Sequence, residues 1–504
     1  MSESWRPHYH ASVPFGWGND PNGTIFYRGR AHLFHQCYPH KPEWGPMHWN
    51  HMTTEDFVHW DQRPMALWPD RPYELVCGCC SGSVVEKDGR LYLMYTAAQP
   101  MMQRQCIAVS DDGDHFTKDP DNPILTAQML SPEIYEEDFR DPRILKRGDS
   151  FYLLAGIRYL DGGERREPAP SNQREITNPL QPAPEHKKEG WGNLCLLQSE
   201  DLFTWNYVGH LLYPQPEFSE DFYHLDGVYE CPDYFVTDTG DEVLLSSPQN
   251  LPRSGNLYQN IHSVLYMLGH LDFETGRFDV RTIGEIDSGF DFYAAQTLRM
   301  PDGRVIMLAW KEMWDRSFPT RKEEWAGTYT LPRELTVEGN HLIQKPVREI
   351  GACRRNPRLV PELMVDSDEV SLPDISGNVI ELRFTLTPGN AQKAGVKLFC
   401  GPGQETLLYY DRGRELVVFD RSNAGVALTG REEDVNIRVC AVSVQENIEF
   451  DLFLDVSSLE VFINGGLHTM TGNVYPDPSL SQGIRFFAEG GSARFSEVEK
   501  YDII

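Results

Sequence analysis

The 504-residue chain is short of basic residues: 46 Lys and Arg stand against 75 Asp and Glu, a formal charge of −29. That excess repels phosphodiester backbones and anionic lipid headgroups, so nucleic acid and membrane surfaces are excluded as expected partners and a neutral substrate fits better. An uninterrupted apolar run of about 18 residues is lacking, as are the basic start and apolar stretch of a secretory signal in MSESWRPHYHASVPFGWGND. Both absences point to a cytosolic chain. Cysteine is sparse: ten irregularly spaced residues do not make a disulfide scaffold, and a cytosolic chain keeps them as thiols. Helical periodicity is scarce too. What remains, 40% hydrophobic and 24% charged residues, is a globular composition long enough for two to four domains.

A repeat organises the first 350 residues. A turn glycine followed by an apolar or alternating strand recurs at Gly29 (RAHLFHQ), Gly89 (RLYLMYT), Gly148 (DSFYLLAG), Gly240 (DEVLLSS) and Gly303 (RVIMLAW). The one long interval holds a Pro-rich, charged stretch over residues 161–190, read as a surface excursion or lid. Removing it restores a period near 62 residues. Between these strands TEDFVHW, SDDGDHF, SEDLFTW and LDFETGRF read as turns followed by an aromatic wedge. Short β-patterned runs at this period, with little helical signal, predict an all-β fold: a five-bladed β-propeller over residues 1–345, one four-stranded blade per repeat.

Each turn glycine follows, by seven to ten residues, a polar position at the same end of an equivalent strand: Asn19 and Asp20, Ser81, Arg140 and Asp141, Glu230, and Tyr293. If these strands are innermost, the positions converge at one mouth, where three acids meet. Glycosidic-bond chemistry needs such an arrangement: one carboxylate attacks or activates water, a second protonates the leaving oxygen, and an oxocarbenium-like transition state is stabilised. Asp20 and Asp141, each before a proline, also suit plain turn capping. Glu230 lies between Tyr229 and Cys231-Pro232 with no basic neighbour in sequence, a setting in which desolvation favours the protonated form.

Trp17-Gly-Asn-Asp20-Pro-Asn-Gly23, Phe139-Arg-Asp141-Pro142 and Glu230-Cys231-Pro232-Asp233 resemble the three signature motifs of glycoside hydrolase family 32, the family of invertases, sucrose-6-phosphate hydrolases, levanases and inulinases. The resemblance continues through Trp44-Gly-Pro-Met-His-Trp49, Ser81-Gly-Ser83, Asp291-Phe-Tyr293, Trp325-Ala-Gly, Leu331-Pro-Arg-Glu334 and the distal Asp455-Val-Ser-Ser-Leu-Glu-Val-Phe-Ile463. It implies a retaining β-fructofuranosidase that uses no metal or other cofactor, with Asp20 as nucleophile, Glu230 as general acid then base, and Asp141 as transition-state stabiliser. Asp20 and Glu230 should then lie roughly 5–5.5 Å apart. Trp17, Asn19, Gln36, Trp44, Ser81 and Arg140 match fructosyl-binding positions, and Tyr293 and Trp310 are expected to line the pocket. Cys80 stands where an aromatic residue is usual, Gly18 precedes Asn19 in place of an apolar side chain, and His35 precedes Gln36. Arg140, beside Asp141, is expected to keep that carboxylate ionised while Glu230 stays protonated.

Eight histidines fall in the first 60 residues (His8, His10, His32, His35, His40, His48, His51 and His59), but the segment is β-patterned and no pair has the spacing of a helical metal site. They read as packing and rim residues. Cys77, Cys79 and Cys80 lack a second ligand pair. Trp44 and Trp49 flank a Gly-Pro turn and are expected to stack on a sugar face. The acidic stretch 131–139 reads as a solvated loop whose Glu136, Glu137 and Asp138 make the rim negative, against a phosphorylated substrate. Residues 346–360 form a connector, and cleaner alternation over 361–504 predicts an antiparallel β-sandwich, structural in role, with a homo-oligomer contact or sugar binding as further uses. Rival functions are a fructosyltransferase, a non-catalytic sugar-binding propeller, and an arabinanase- or xylosidase-like enzyme on other sugars.

Overall fold

The computed structural model describes residues 5–100, 102–131, 134–159, 190–223, 225–432, 434–443 and 446–504, and only the backbone of Glu220 and Asp221. The excursion expected over 161–190 lies, apart from residue 190, outside the described residues.

Five sheets, antiparallel except where Gly16–Trp17 pair in parallel with Trp325–Ala326, follow one another along the first 346 residues. Their opening hairpins are Gly16–Tyr27 with Arg30–Tyr38, Gly78–Lys87 with Arg90–Gln99, Ile134–Arg147 with Ser150–Tyr159, Tyr229–Val236 with Glu242–Pro248, and Tyr293–Arg299 with Val305–Trp310. We number them sheets 1 to 5. The repeat is real at the level of backbone: Gly29, Gly89, Gly148, Gly240 and Gly303 all occupy the left-handed region, with φ from 62° to 92°. A side chain there would strain the turn, so glycine fixes where each hairpin reverses.

The second repeated element is a turn whose chemistry explains its sequence. In Thr54-Glu-Asp56, Ser110-Asp-Asp112 and Ser199-Glu-Asp201 the hydroxyl accepts from the backbone N–H three residues on, at 2.8 to 2.9 Å. The aspartate two residues on accepts from the next two amides, at 2.7 to 3.0 Å. Local side chains thus replace ladder partners where the chain turns. The wedge residues Trp205 and Phe278 then pack into the cores of sheets 3 and 4.

The first strand of each sheet packs on the first strand of the next, and the fifth packs on the first. Polar stitches cross these seams. Ser83 Oγ donates to Pro142 O (2.7 Å) and accepts from Ile144 N (2.8 Å), joining sheets 2 and 3. Asp233 pairs with Arg143 (2.8 Å) and accepts from Thr297 N (2.5 Å), joining sheets 3, 4 and 5. Gln296 accepts from Thr24 N at 3.0 Å and donates to Gly82 O at 2.9 Å, reaching from sheet 5 to sheets 1 and 2.

The connector contains the 3-10 helix Arg348–Cys353, and its second half, from Arg354, is already a sandwich strand, earlier than the expected start at 361. Two six-stranded sheets follow around one apolar core, one running from the edge strand Arg354–Asp366 to His468–Asn473, the other from Glu369–Val370 to Ile437–Ala441. They dock on the five sheets through buried charges. His10 lies between Asp455 (2.8 Å) and Glu460 (3.0 Å), and Arg333 bridges Asp287 (3.1 Å) and Glu460 (2.8 Å). The distal motif over 455–463 therefore serves this junction. No helix among the described residues is long and apolar enough to cross a membrane.

Four of the clustered histidines, His32, His35, His48 and His51, lie buried in strands of sheet 1. His32 Nδ1 meets His51 Nε2 at 3.0 Å, and burial drives both below the ordinary value, His32 to about 4 and His51 to about 2. A histidine held neutral in the fold but free to protonate at 6.5 when unfolded loses stability as pH falls below 6.5. We therefore expect the penalty of His51→Gln, measured as the shift in Tm from wild type, to shrink steadily from pH 7 to pH 5. A penalty independent of pH would contradict this account.

Candidate active site

Every first strand breaks its ladder at the same place. Pairing skips residues 19–20 in sheet 1, 81 in sheet 2, 141–142 in sheet 3, 231–232 in sheet 4 and 294–295 in sheet 5. These are β-bulges, which re-aim side chains at the cost of local pairing. In the last three sheets the bulged Asp141, Cys231 and Ala294 adopt positive φ of 61°, 46° and 53°. For residues other than glycine that backbone costs on the order of 1 kcal/mol each, and it persists because neighbouring packing fixes it. Two tiers result: Cys80, Arg140, Glu230 and Tyr293 are the last paired residues before the bulge, and Asp20, Ser81, Asp141, Cys231 and Ala294 lie within it, with Asn19 also inside the bulge of sheet 1.

The bulge tier brings two acids together. Asp20 Oδ2 accepts from Ser81 Oγ (2.6 Å), Gln36 Nε2 (3.1 Å) and Cys231 Sγ (3.6 Å), and Oδ1 accepts from Asn19 Nδ2 (3.0 Å). Burial pushes Asp20 above the ordinary carboxylate value, the Ser81 hydrogen bond pulls it back, and the charge of Glu230 raises it again. Asp141 Oδ2 accepts from Cys231 N at 3.0 Å and Cys231 Sγ at 3.7 Å. Burial first, then Glu230, lifts Asp141 to about 7 against the opposing pull of Arg140.

Glu230 is held from both sides. Arg140 Nε donates to Oε1 at 3.0 Å and Tyr293 Oη to Oε2 at 2.6 Å. Glu230, without a basic neighbour in sequence, thus gains one across the sheets, and Arg140 hydrogen-bonds Glu230 while acting on Asp141 through its charge. The guanidinium hydrogen-bonds Glu230 and Asp138 (3.0 Å), and reaches Gln103 and Gln249 at 3.4 and 3.3 Å. Three carboxylates from three sheets, two of them sharing one thiol and the third clamped by a guanidinium and a phenol, make a site suited to splitting one proton transfer from one nucleophilic attack.

Comparison with known proteins agrees. The model of the glycosyl hydrolases family 32 N-terminal domain matches residues 10–164 and 183–346, and that of the family's C-terminal domain matches 354–502. The chain belongs to glycosyl hydrolase family 32. A sucrose-6-phosphate hydrolase of Zymomonas mobilis is 34% identical over 518 residues, covering 100% of this chain and 93% of that one. The sucrose-6-phosphate hydrolase structure from Lactobacillus gasseri superposes with a TM-score of 0.81 at 28% identity, covering 100% and 94%. The β-fructofuranosidase of Bombyx mori, solved free and with sucrose, gives 0.79 at 29%, covering 100% and 95%.

In this family 32 chain the aromatic residues divide. Trp17 and Trp310 are 1% and 0% exposed and pack edge to face at 5.7 Å, a wall behind the tiers, with Trp17 Nε1 donating to Asn19 Oδ1 at 2.9 Å. Trp44 and Cys80 are half-buried against the same apolar cluster. Trp49, expected at a turn and free to stack on a sugar, is instead buried in strand His48–Thr54, donating to Cys79 O and Cys80 O at 3.1 Å. A strand buried on both faces reads much like a loop when its sequence, HWNHMTT, is this polar. The acidic stretch is likewise not a loop: residues 134–147 form the first strand of sheet 3, and Asp138 is buried between two arginines. Cys231, Gln103 and Gln249 escaped notice in the sequence. Only Cys231 had a signal, its register with Asp20, Ser81 and Asp141.

Asp141 yields a pH test. Its folded value of about 7 lies above the unfolded 3.8, so the fold binds the extra proton and stability is lost as pH rises from about 4 to 7. Asp141→Asn should therefore raise stability at pH 7 by roughly 1–3 kcal/mol, with the gain vanishing near pH 4, while turnover falls. Denaturant unfolding across that range measures it, and a gain that is constant with pH would refute the assignment.

Proposed function

We propose that the chain is a retaining β-fructofuranosidase that hydrolyses terminal fructosyl units of sucrose, sucrose 6-phosphate or short fructo-oligosaccharides. One observation carries this reading: Asp20, Asp141 and Glu230, from the first, third and fourth repeats, meet in one cluster in which Asp20 collects four donors and Glu230 is held by Arg140 and Tyr293. The names and activities of the similar proteins support it, including a raffinose invertase of Escherichia coli at 30% identity. The five sheets read as a five-bladed β-propeller whose axis passes the bulges, with catalysis in the part before the 3-10 helix and the sandwich after it as a clamp. Ten free thiols suit a cytosolic enzyme. The exposed edge strand Arg354–Asp366, with Leu359 and Met364 outward, is the face that would serve a homo-oligomer.

In this mechanism Asp20 attacks the anomeric carbon of the fructosyl unit as Glu230 gives its proton to the leaving oxygen, releasing glucose or a shortened chain. Three donors already saturate Oδ2, so attack falls to Oδ1. Asp141 binds fructose hydroxyls and stabilises positive charge in the transition state. Glu230, now a carboxylate, takes a proton from water, which attacks the same carbon and frees Asp20. Asn19, Gln36, Ser81 and Trp44 position the sugar, while Trp17 and Trp310 support them.

Asp20→Ala and Glu230→Gln should each lower sucrose turnover by several orders of magnitude with unfolding curves close to wild type. Near-normal hydrolysis by either would remove the assignment. Double displacement also requires that the first fructose released keep the substrate's anomeric configuration, which NMR in the first minutes of reaction reads directly. Inverted product would replace Asp20 as nucleophile with a water.

A further inference from the structure

Arg140 is not held by Glu230 alone. Its guanidinium shares Asp138, whose Oδ1 accepts from Arg140 at 3.0 Å and whose Oδ2 accepts from Arg158 Nε at 2.9 Å. Asp138 and Arg158 are both about 4% exposed, so neither charge is screened by water. Arg158 in turn is fixed by backbone, donating to Gly190 O at 3.1 Å and Asp226 O at 2.8 Å. A chain of alternating charge thus runs Arg158, Asp138, Arg140, Glu230, through strands Ser150–Tyr159, Ile134–Arg147 and Tyr229–Val236. Against the cost of burial, Glu230 and then Asp138 keep Arg140 charged.

We propose that Asp138 and Arg158 are positioning residues that set how far the Arg140 guanidinium is shared with Glu230, and through it the pH range in which Glu230 works as acid. The inference rests on the reading of Glu230 as the acid. Asp138 draws Arg140 away from Glu230, and Arg158 weakens that draw by neutralising Asp138. The groups facing Glu230 are Arg140 with Asp138 behind it from sheet 3, Tyr293 from sheet 5, Asp20 from sheet 1, Asp141 and Cys231 at the bulges, and His262 behind Tyr293, with ring centroids 5.4 Å apart. Within that set neither Asp138 nor Arg158 is itself assigned to touch substrate, so the pair can be substituted without replacing a group that does.

The two partners must therefore act in opposite directions. Asp138→Asn leaves Arg140 undivided on Glu230, favours its carboxylate, and should move the alkaline limb of the kcat/KM profile for sucrose down by about half to one pH unit. Arg158→Gln removes the guanidinium on Asp138 Oδ2, strengthens the draw of Asp138 on Arg140, and should move that limb up by a similar amount. Asp138→Glu, which keeps the charge, should restore the wild-type limb. KM should change less than kcat in all three. A merely structural role predicts loss of activity and Tm with the limb unmoved, and that result, or two shifts of the same sign, overturns the proposal. Should one charge-removing variant fail to fold, the direction found for the other decides. Glu230→Gln in parallel separates the two readings: if it stays active the functional assignment fails, and if it is inactive while neither limb moves, only the present inference fails.

Discussion

Confinement of three carboxylates within one buried cluster is the constraint that the rest of the structure serves. Like charges gathered in a buried site repel strongly, so the fold must either supply donors or keep a proton. It does both. Asp20 collects four side-chain donors from sheets 1, 2 and 4, Glu230 receives a guanidinium and a phenol, and Asp141, with a backbone amide and a thiol, is raised by burial to about 7. The division gives each acid different partners on one scaffold, as two-step glycosidic chemistry needs.

The bulges make the confinement possible. A regular strand alternates its side chains between two faces, so adjacent residues such as Arg140 and Asp141 would point apart. The two-for-one bulge and the positive φ at Asp141 and Cys231 turn both members of each pair toward the same cluster. The strain is borne by seams that bond across sheets, notably Asp233 to Arg143 and Thr297, and Ser83 to Pro142 and Ile144. Hence the Asp233 of the third motif, read with the catalytic residues, serves rigidity. The same holds at the sandwich junction, where Asp455 and Glu460 spend their charge on His10 and Arg333.

Much of this was legible without coordinates because it is local. A turn glycine, a hydroxyl followed two residues later by aspartate, and an Asp-Pro step each act on backbone within a few residues, and all recur where the structure has hairpins, side-chain-capped turns and bulges. Trp49 and Asp138 were misread for a shared reason. Both lie in strands whose composition is polar, and burial on two faces comes from neighbouring sheets, which no local pattern reports.

The sequence by itself determined which residues gather at the bulges, since Asp20, Ser81, Asp141, Glu230 and Tyr293 all fall within one short window ahead of the five turn glycines. Tertiary structure alone decided which charges meet there. Arg140 adjoins Asp141 in the chain, yet its long side chain spans a sheet seam to Glu230, 90 positions away, and backs onto Asp138 and Arg158. Backbone periodicity fixes where a Cβ points. The end of an arginine goes where buried negative charge is found, and that is set only when the sheets are assembled.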